Sequence, residues 1–167
     1  ERKAYVESLI QKGYIPVQQR DNFYIFHIIV PFGERSHLER CLLSIKGQNY
    51  QNFTCTLVDD CCDGNDSLDL VQRLRLDNGR FRYIKTIQNV GPLRAREMAT
   101  DMLAANLADV VIHLDGDDWF ACPDVLTRLN RIYRKGNIFV SYGNALCLRS
   151  HESHNFQEYS HYDMSRR

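Results

Sequence analysis

Residues 110–120 read Val110-Val-Ile-His-Leu-Asp-Gly-Asp-Asp-Trp-Phe120, a short apolar run that breaks into three carboxylates, Asp115, Asp117 and Asp118. A run this short, β-branched and nearly free of polar side chains predicts a strand buried on both faces, as in parallel sheets. Parallel strands need long crossover connections, so one such strand commits the chain to an α/β layered architecture. Three like charges at its carboxyl end repel one another unless water or a cation screens them. That end is also where open α/β sheets place their ligands. The run therefore predicts a fold class and a candidate cation site together.

The rest of the chain repeats the alternation. Tyr24–Val30, ended by Pro31, then Phe53–Val58, Phe81–Ile87 and Ile138–Tyr142 read as further strands, with Val110–Leu114 fourth in order. Helical spacing covers Ala4–Lys12, with Gly13 as its stop, and His37–Lys46, with Ser36 as a candidate N-cap. In the latter, Leu38, Cys41, Leu42 and Ile45 share one face. Further helices are expected over Ser67–Leu76, over Leu93–Leu107 and from Pro123 to about Arg134, and Asn78-Gly79 reads as a turn. Residues 1–22 form a helix and lead-in, 23–149 the α/β domain, and 150–167 a polar, histidine-containing tail without assignable pattern.

Composition narrows the function classes. The 167 residues suffice for one domain with a core, and 44% apolar with 25% charged residues is ordinary for a globular protein. Formal net charge is zero, so no whole-protein field argues for nucleic acid or an anionic membrane surface. No apolar run approaches the roughly 18 residues that span a bilayer, and the longest, Phe23 to Phe32, is interrupted by His27. No secretory signal is visible. The six cysteines, Cys41, Cys55, Cys61, Cys62, Cys122 and Cys147, form no Cys-x-x-Cys pair. That argues against zinc and for reduced thiols in a cytoplasmic protein, with the adjacent Cys61 and Cys62 open to redox chemistry. The chain begins at Glu1 and reads as part of something longer.

Four strand ends carry loops that a parallel sheet would bring to one edge. They are Pro31-Phe-Gly-Glu-Arg35, Asp59-Asp-Cys-Cys-Asp-Gly64, Asn89-Val-Gly-Pro-Leu-Arg-Ala-Arg96 and Asp115-Gly-Asp-Asp118. Two acidic loops, one with arginines and one with glycine beside proline, would then face a common cleft.

Taken in order, Val30-Pro31, Val58-Asp-Asp60, Asn89-Val-Gly91 with Ala95-Arg96, and Leu114-Asp-Gly-Asp-Asp-Trp119 with Pro123 resemble a family 2 glycosyltransferase of the GT-A fold, over about residues 26–135. The resemblance implies a mostly parallel sheet flanked by helices, with the acceptor-binding half short or absent here. It implies a nucleotide-diphosphate sugar as donor, UDP ahead of GDP, and an inverting transfer to an acceptor hydroxyl of carbohydrate, lipid-linked or protein origin. Pro31, Phe32 and Glu34 would line the base pocket, and Asp59 and Asp60 would meet base and ribose. Arg96, with Arg94 beside it, would sit near the nucleotide, and Gly91 would let the backbone approach it. Asp115, with Gly116 after it, would lean to the ribose and Asp117 to Mn²⁺ or Mg²⁺, with Asp115 as a further metal ligand. A hard cation taking carboxylate and phosphate oxygens suits a departing diphosphate. The protein could associate peripherally with a membrane when its acceptor is lipid-linked.

The family's usual catalytic base lies beyond the fifth strand. Here only Glu152, Glu158 and Asp163 occupy that region, and none falls in a matching motif. Glu152 and Asp163 stand as candidates. A non-catalytic nucleotide-sugar-binding module therefore remains open. So does a phosphatase of the haloacid dehalogenase type, which also opens on an apolar strand ending in Asp-x-Asp, although Trp119 stands where Thr or Val is usual. Asp59 to Asp66 superficially suggests a calcium loop, but the ligand spacing and terminal Glu are missing. Asp115, Asp117 and Asp118 also allow a solvated turn capping the next helix, and His151, His154 and His161 allow a further metal ligand. His113 reads as a satisfied core histidine and Trp119 as a packing residue.

Overall fold

The computed structural model describes residues 23–60, 66–76, 79–103, 109–135, 138 and 140–143. The chain divides into two compact units, Glu1–Gly136 and Asn137–Arg167. The expected helix over Ala4–Lys12, the pair Cys61-Cys62, and the candidates Glu152, Glu158 and Asp163 lie outside the described residues. So do His151, His154 and His161.

Four parallel strands form the first unit's sheet: β1 (Phe26–Phe32), β2 (Phe53–Asp59), β3 (Phe81–Lys85) and β4 (Val110–His113), in the order β3-β2-β1-β4. Helices α1 (Leu38–Lys46), α2 (Asp66–Arg73), α3 (Pro92–Asp101) and α4 (Val125–Tyr133) alternate with them. The chain steps outward from β1 to β3 and then returns to the other side of β1. The order therefore reverses between β1 and β4, and the crevice outside the carboxyl ends at such a reversal is where these sheets take ligands.

Strand β1 is buried along its whole length, which accounts for a sequence that is apolar at every position but His27. It runs two residues past the expected end, through Pro31. The Pro31 carbonyl accepts from the Gly116 N–H at 3.1 Å on the β4 side. The proline nitrogen points to that same side, so the bond it cannot make falls on the β4 flank, between Leu114 N–H to Ile29 O and Gly116 N–H to Pro31 O, and the ladder with β2 runs whole to Phe32. By contrast, β4 is not the doubly buried strand its composition suggests. Among the described residues it lies at the sheet edge, with Val110 to Ile112 half-buried and His113 exposed. An edge strand has one covered flank fewer, and β-branched residues fit such a position as readily as a central one.

Helix α1 buries Leu38, Cys41, Leu42 and Ile45, the stripe that its spacing predicts. Each of the three large aliphatic side chains contributes about 1.5–3 kcal/mol by leaving water. It begins at Leu38 with His37 rather than Ser36 at the cap position, and no side chain bonds its first N–H groups. Helix α3 packs through Ala95 and Ala99, four residues apart and both fully buried, against Ile29 and Val58. Small side chains on that face let the helix lie close on the sheet, carrying Arg96 with it.

The expected fifth strand, Ile138–Tyr142, is not formed by its described residues. Val140 and Tyr142 are exposed there, and an extended segment without a ladder partner gains nothing to offset its lost freedom. Strand β3 likewise stops at Lys85, and Ile87 beyond it is fully exposed.

Candidate functional site

The acidic turn after β4 is held by backbone rather than by its carboxylates. Leu114 N–H donates to Ile29 O at 3.1 Å and Gly116 N–H to Pro31 O at 3.1 Å, which extends the sheet contact past the strand. Asp118 N–H closes the turn onto Asp115 O at 3.0 Å. Gly116 is required by space: a Cβ there would stand 2.5 Å from the Phe32 Cβ. This close approach sets the acidic turn directly against Pro31 and Phe32, both buried at the tip of β1. Glu34, two residues on, is exposed.

With the backbone fixed, the carboxylates of Asp117 and Asp118 are not needed to hold the turn. Asp117 and Asp118 are exposed, and Asp115 is half-exposed. Partial burial first, then the charges of Asp117 and Asp115, raise the Asp118 carboxyl above the ordinary aspartate range. Crowding of this kind is relieved by a cation. Among the described residues no cluster of three or more His, Cys, Asp or Glu forms a ready-made cage. Mg²⁺ or Mn²⁺ needs none, because one or two carboxylates with substrate phosphates and water complete its octahedron. Asp117 with one neighbouring carboxylate offers oxygen donors of that kind.

Arg96, one turn into α3, pairs through Nη2 with Asp115 Oδ1. Its Nε is buried and has no partner, so the guanidinium keeps a donor in reserve. His113 lies between these charges. Partial burial first, then Arg96, lower its proton affinity, and Asp115 opposes them. It is exposed, not the core histidine that its place in an apolar run suggests. Arg94 points elsewhere: it is exposed and pairs with Glu97 on its own helix.

The acids after β2 behave differently. Asp59 is fully buried and accepts from the Tyr83 hydroxyl at 2.5 Å. Asp60 is 5% exposed. Its Oδ1 accepts from Val90 N–H at 2.8 Å and from the Thr86 hydroxyl at 3.1 Å, and its Oδ2 from Gly91 N–H at 2.8 Å. Gly91 has φ 81 with open space where a Cβ would stand, so the glycine answers a backbone angle rather than a close neighbour.

Sequence reading missed the support from α1. Ser44 Oγ accepts from Phe120 N–H at 3.0 Å. One turn later Gln48, 2% exposed, donates to Cys122 O at 2.8 Å and accepts from Leu126 N–H at 3.1 Å. Two polar residues at i, i+4 beside an apolar stripe were the available signal. Trp119 is half-buried, with the Arg40 guanidinium 3.7 Å from its ring centre. Beneath the turn, Cys41 is pushed up to about 12 by burial first and then by Asp118, Asp117 and Asp115, so its thiol stays protonated.

The profile described as "Glycosyl transferase family 2" matches residues 27–157, which takes in the sheet and all four site loops. The chain belongs to glycosyl transferase family 2. Among curated family relatives, an N-acetylglucosaminyltransferase of Bradyrhizobium elkanii is 34% identical over 105 residues, 61% of this chain and 56% of that protein. The family 2 chain thus spans about half the length of that relative. Its fold is that of GT-A glycosyltransferases. S. aureus TarS 1–349 in complex with UDP-GlcNAc has a TM-score of 0.56 at 22% identity, over 66% of this chain and 31% of that one. GalNAc-T7 with UDP, GalNAc and Mn²⁺ has a TM-score of 0.54 at 18% identity, over 69% of this chain and 22% of that one. No helix among the described residues is long and apolar enough to cross a membrane.

Proposed function

We propose that this chain is the donor-binding part of a metal-dependent, inverting glycosyltransferase that takes UDP-N-acetylglucosamine. One observation carries the reading: an exposed acidic turn stands at the reversal of strand order, its Asp115 held by Arg96. The UDP-GlcNAc bound to TarS and the name of the Bradyrhizobium relative support the choice of donor. The Mn²⁺ in GalNAc-T7 supports the choice of cation.

In this reading Pro31, Phe32 and Glu34 line the nucleoside side of the crevice, and Asp59 backs it from β2. Asp115 and Gly116 face the ribose. Asp117, with Asp115 beside it, would hold Mn²⁺ or Mg²⁺. Bound there, the cation would neutralise charge on the departing diphosphate. Arg96 adds a fixed positive charge that no proton transfer removes, with its Nε still free to donate. The acceptor hydroxyl attacks the anomeric carbon from the face opposite UDP, which inverts it, and a carboxylate takes the hydroxyl proton. Glu152, Glu158 and Asp163 are the acids this chain offers for that step. Free thiols at Cys41, Cys55 and Cys122 agree with a cytoplasmic setting.

Titration of UDP-GlcNAc and of GDP-mannose, each with and without Mn²⁺, tests the proposal through thermal shift and release of free nucleotide. A Mn²⁺-dependent shift with UDP-GlcNAc alone is expected. Absence of any metal-dependent nucleotide binding would overturn it. Binding with no turnover across a panel of acceptors would point to a non-catalytic module, and phosphate release from simple esters to a phosphatase.

A further inference from the structure

We propose that Asp60 is a positioning residue, which fixes the β3–α3 turn and through it the place of Arg96, rather than a residue that touches the nucleotide. The inference rests on the donor-site reading above. Two consecutive backbone N–H groups, of Val90 and Gly91, converge on one carboxylate at 2.8 Å each. Successive N–H groups of this kind form a concavity that binds anions, including phosphates. Here the anion is a side chain of the protein itself. The turn's capacity for an anion is therefore used internally, and the Asp60 oxygens are both engaged with 5% of the residue exposed.

The consequences run along α3. Gly91 is the residue before the helix, with φ 81, and its carbonyl accepts the helical bond from Ala95 N–H at 3.0 Å. No side chain of the helix's own caps that end. Asp60, just past β2, instead holds the N–H groups of Val90 and Gly91 that lead into it, and Pro92 follows at the first helical position. Asp60 N–H also donates to Phe32 O at 2.8 Å. One residue thus joins the β1 tip to the start of α3. Arg96 follows five residues after Gly91, between Ala95 and the sheet-facing Ala99, and reaches Asp115 across the strand reversal. A shift of the turn would rotate or slide α3 and take Arg96 off Asp115.

The test is a double-mutant cycle between Asp60→Asn and Arg96→Ala in the full chain. Asparagine keeps one acceptor oxygen and sets an NH₂ group against the second N–H. With UDP and Mn²⁺ as the probe, Asp60→Asn is expected to weaken binding about tenfold in the presence of Arg96 and to have little effect once Arg96→Ala is in place. Gly91→Ala strains the same turn without altering Asp60, and should reproduce the Arg96-dependent loss. Hydrogen exchange at the Val90 and Gly91 amides should accelerate in Asp60→Asn. Additive losses in the cycle, or a loss with unchanged exchange at both amides, would overturn the positioning role and make Asp60 a direct ligand. Wild-type protein that binds no UDP would instead overturn the donor-site reading. In that case the same cycle read in Tm, which needs no ligand, still decides whether Asp60 and Arg96 are coupled.

Discussion

Two strand tips in this protein carry adjacent aspartates, and they use them in opposite ways. After β2, Asp59 and Asp60 are buried, and their oxygens accept from Tyr83, Thr86, Val90 and Gly91. After β4, Asp117 and Asp118 are exposed, and the turn that bears them is fixed through Gly116, Leu114 and Asp118 N–H groups instead. A carboxylate surrounded by N–H and O–H donors is a structural part, since its charge is already answered. Carboxylates crowded together with donors absent are an unanswered charge, and that is the state in which a cation gains most by binding. The difference teaches that an acidic pair at a strand end can belong to the scaffold, as after β2, or stand outside it, as after β4.

The sharpest way to break this contrast is to remove one acid from each tip. Asp60→Ala strips acceptors from two part-buried N–H groups, and bonds to a charged partner are worth about 1.5–3 kcal/mol each. A loss near 3 kcal/mol is expected in urea unfolding. Asp117→Ala removes no such bond and should leave stability within about 0.5 kcal/mol, while abolishing the Mn²⁺ dependence of UDP-sugar binding. Equal losses in the two variants would erase the distinction.

A smaller effect separates backbone from side chain within the β4 tip itself. Gly116→Ala brings a methyl group against Phe32 and the Pro31 carbonyl. It should cost about 1–3 kcal/mol, typical of overpacking, even though the acids beside it tolerate change. Gly91→Ala, with open space but φ 81, should be destabilising through backbone strain alone. Thermal melts of the two variants with Asp117→Ala as the reference would order them.

The sequence made parts of this plain and hid others for physical reasons. The β1 and β2 runs are legible because strands covered on both faces select mostly apolar residues, with His27, Thr54 and Thr56 the exceptions inside them. The stripe Leu38, Cys41, Leu42 and Ile45 was legible because helix burial imposes its own period. The edge position of β4 is not, since three β-branched residues, Val110 to Ile112, satisfy either place in a sheet. The partner of Asp60 was not legible at all. It lies thirty residues on, and nothing in Val58-Asp-Asp60 states which N–H groups a fold will bring to a carboxylate. Gly91 stands out in the sequence as a place where backbone can approach a ligand, and its φ of 81 adds a second reason for glycine that no motif states. Pro31 reads as the end of β1, yet its nitrogen lies on the β4 flank and leaves the ladder with β2 whole through Phe32.

The weakest expected effect is also the most specific to the β4 tip. In the folded state the Asp118 carboxyl holds its proton more tightly than in the unfolded chain, through partial burial and then through Asp117 and Asp115. An acid raised in this way favours folding only while it is protonated. Its contribution is complete below the unfolded value, about 4, and fades as pH rises through the folded value. Stability of the metal-free protein should therefore slope downward across that window relative to Asp118→Asn, which lacks the titrating group. The residue is exposed, so the slope is small and salt reduces it. Mn²⁺ should remove it, because a cation bound by the folded turn favours the ionised carboxylate. Tm measured from about pH 4 to pH 6, with and without Mn²⁺, reads both predictions. A slope that persists in Asp118→Asn would place its origin elsewhere. A slope unchanged by Mn²⁺ would mean that the crowded acids do not meet the ion, and the contrast between the two tips would then be one of exposure alone.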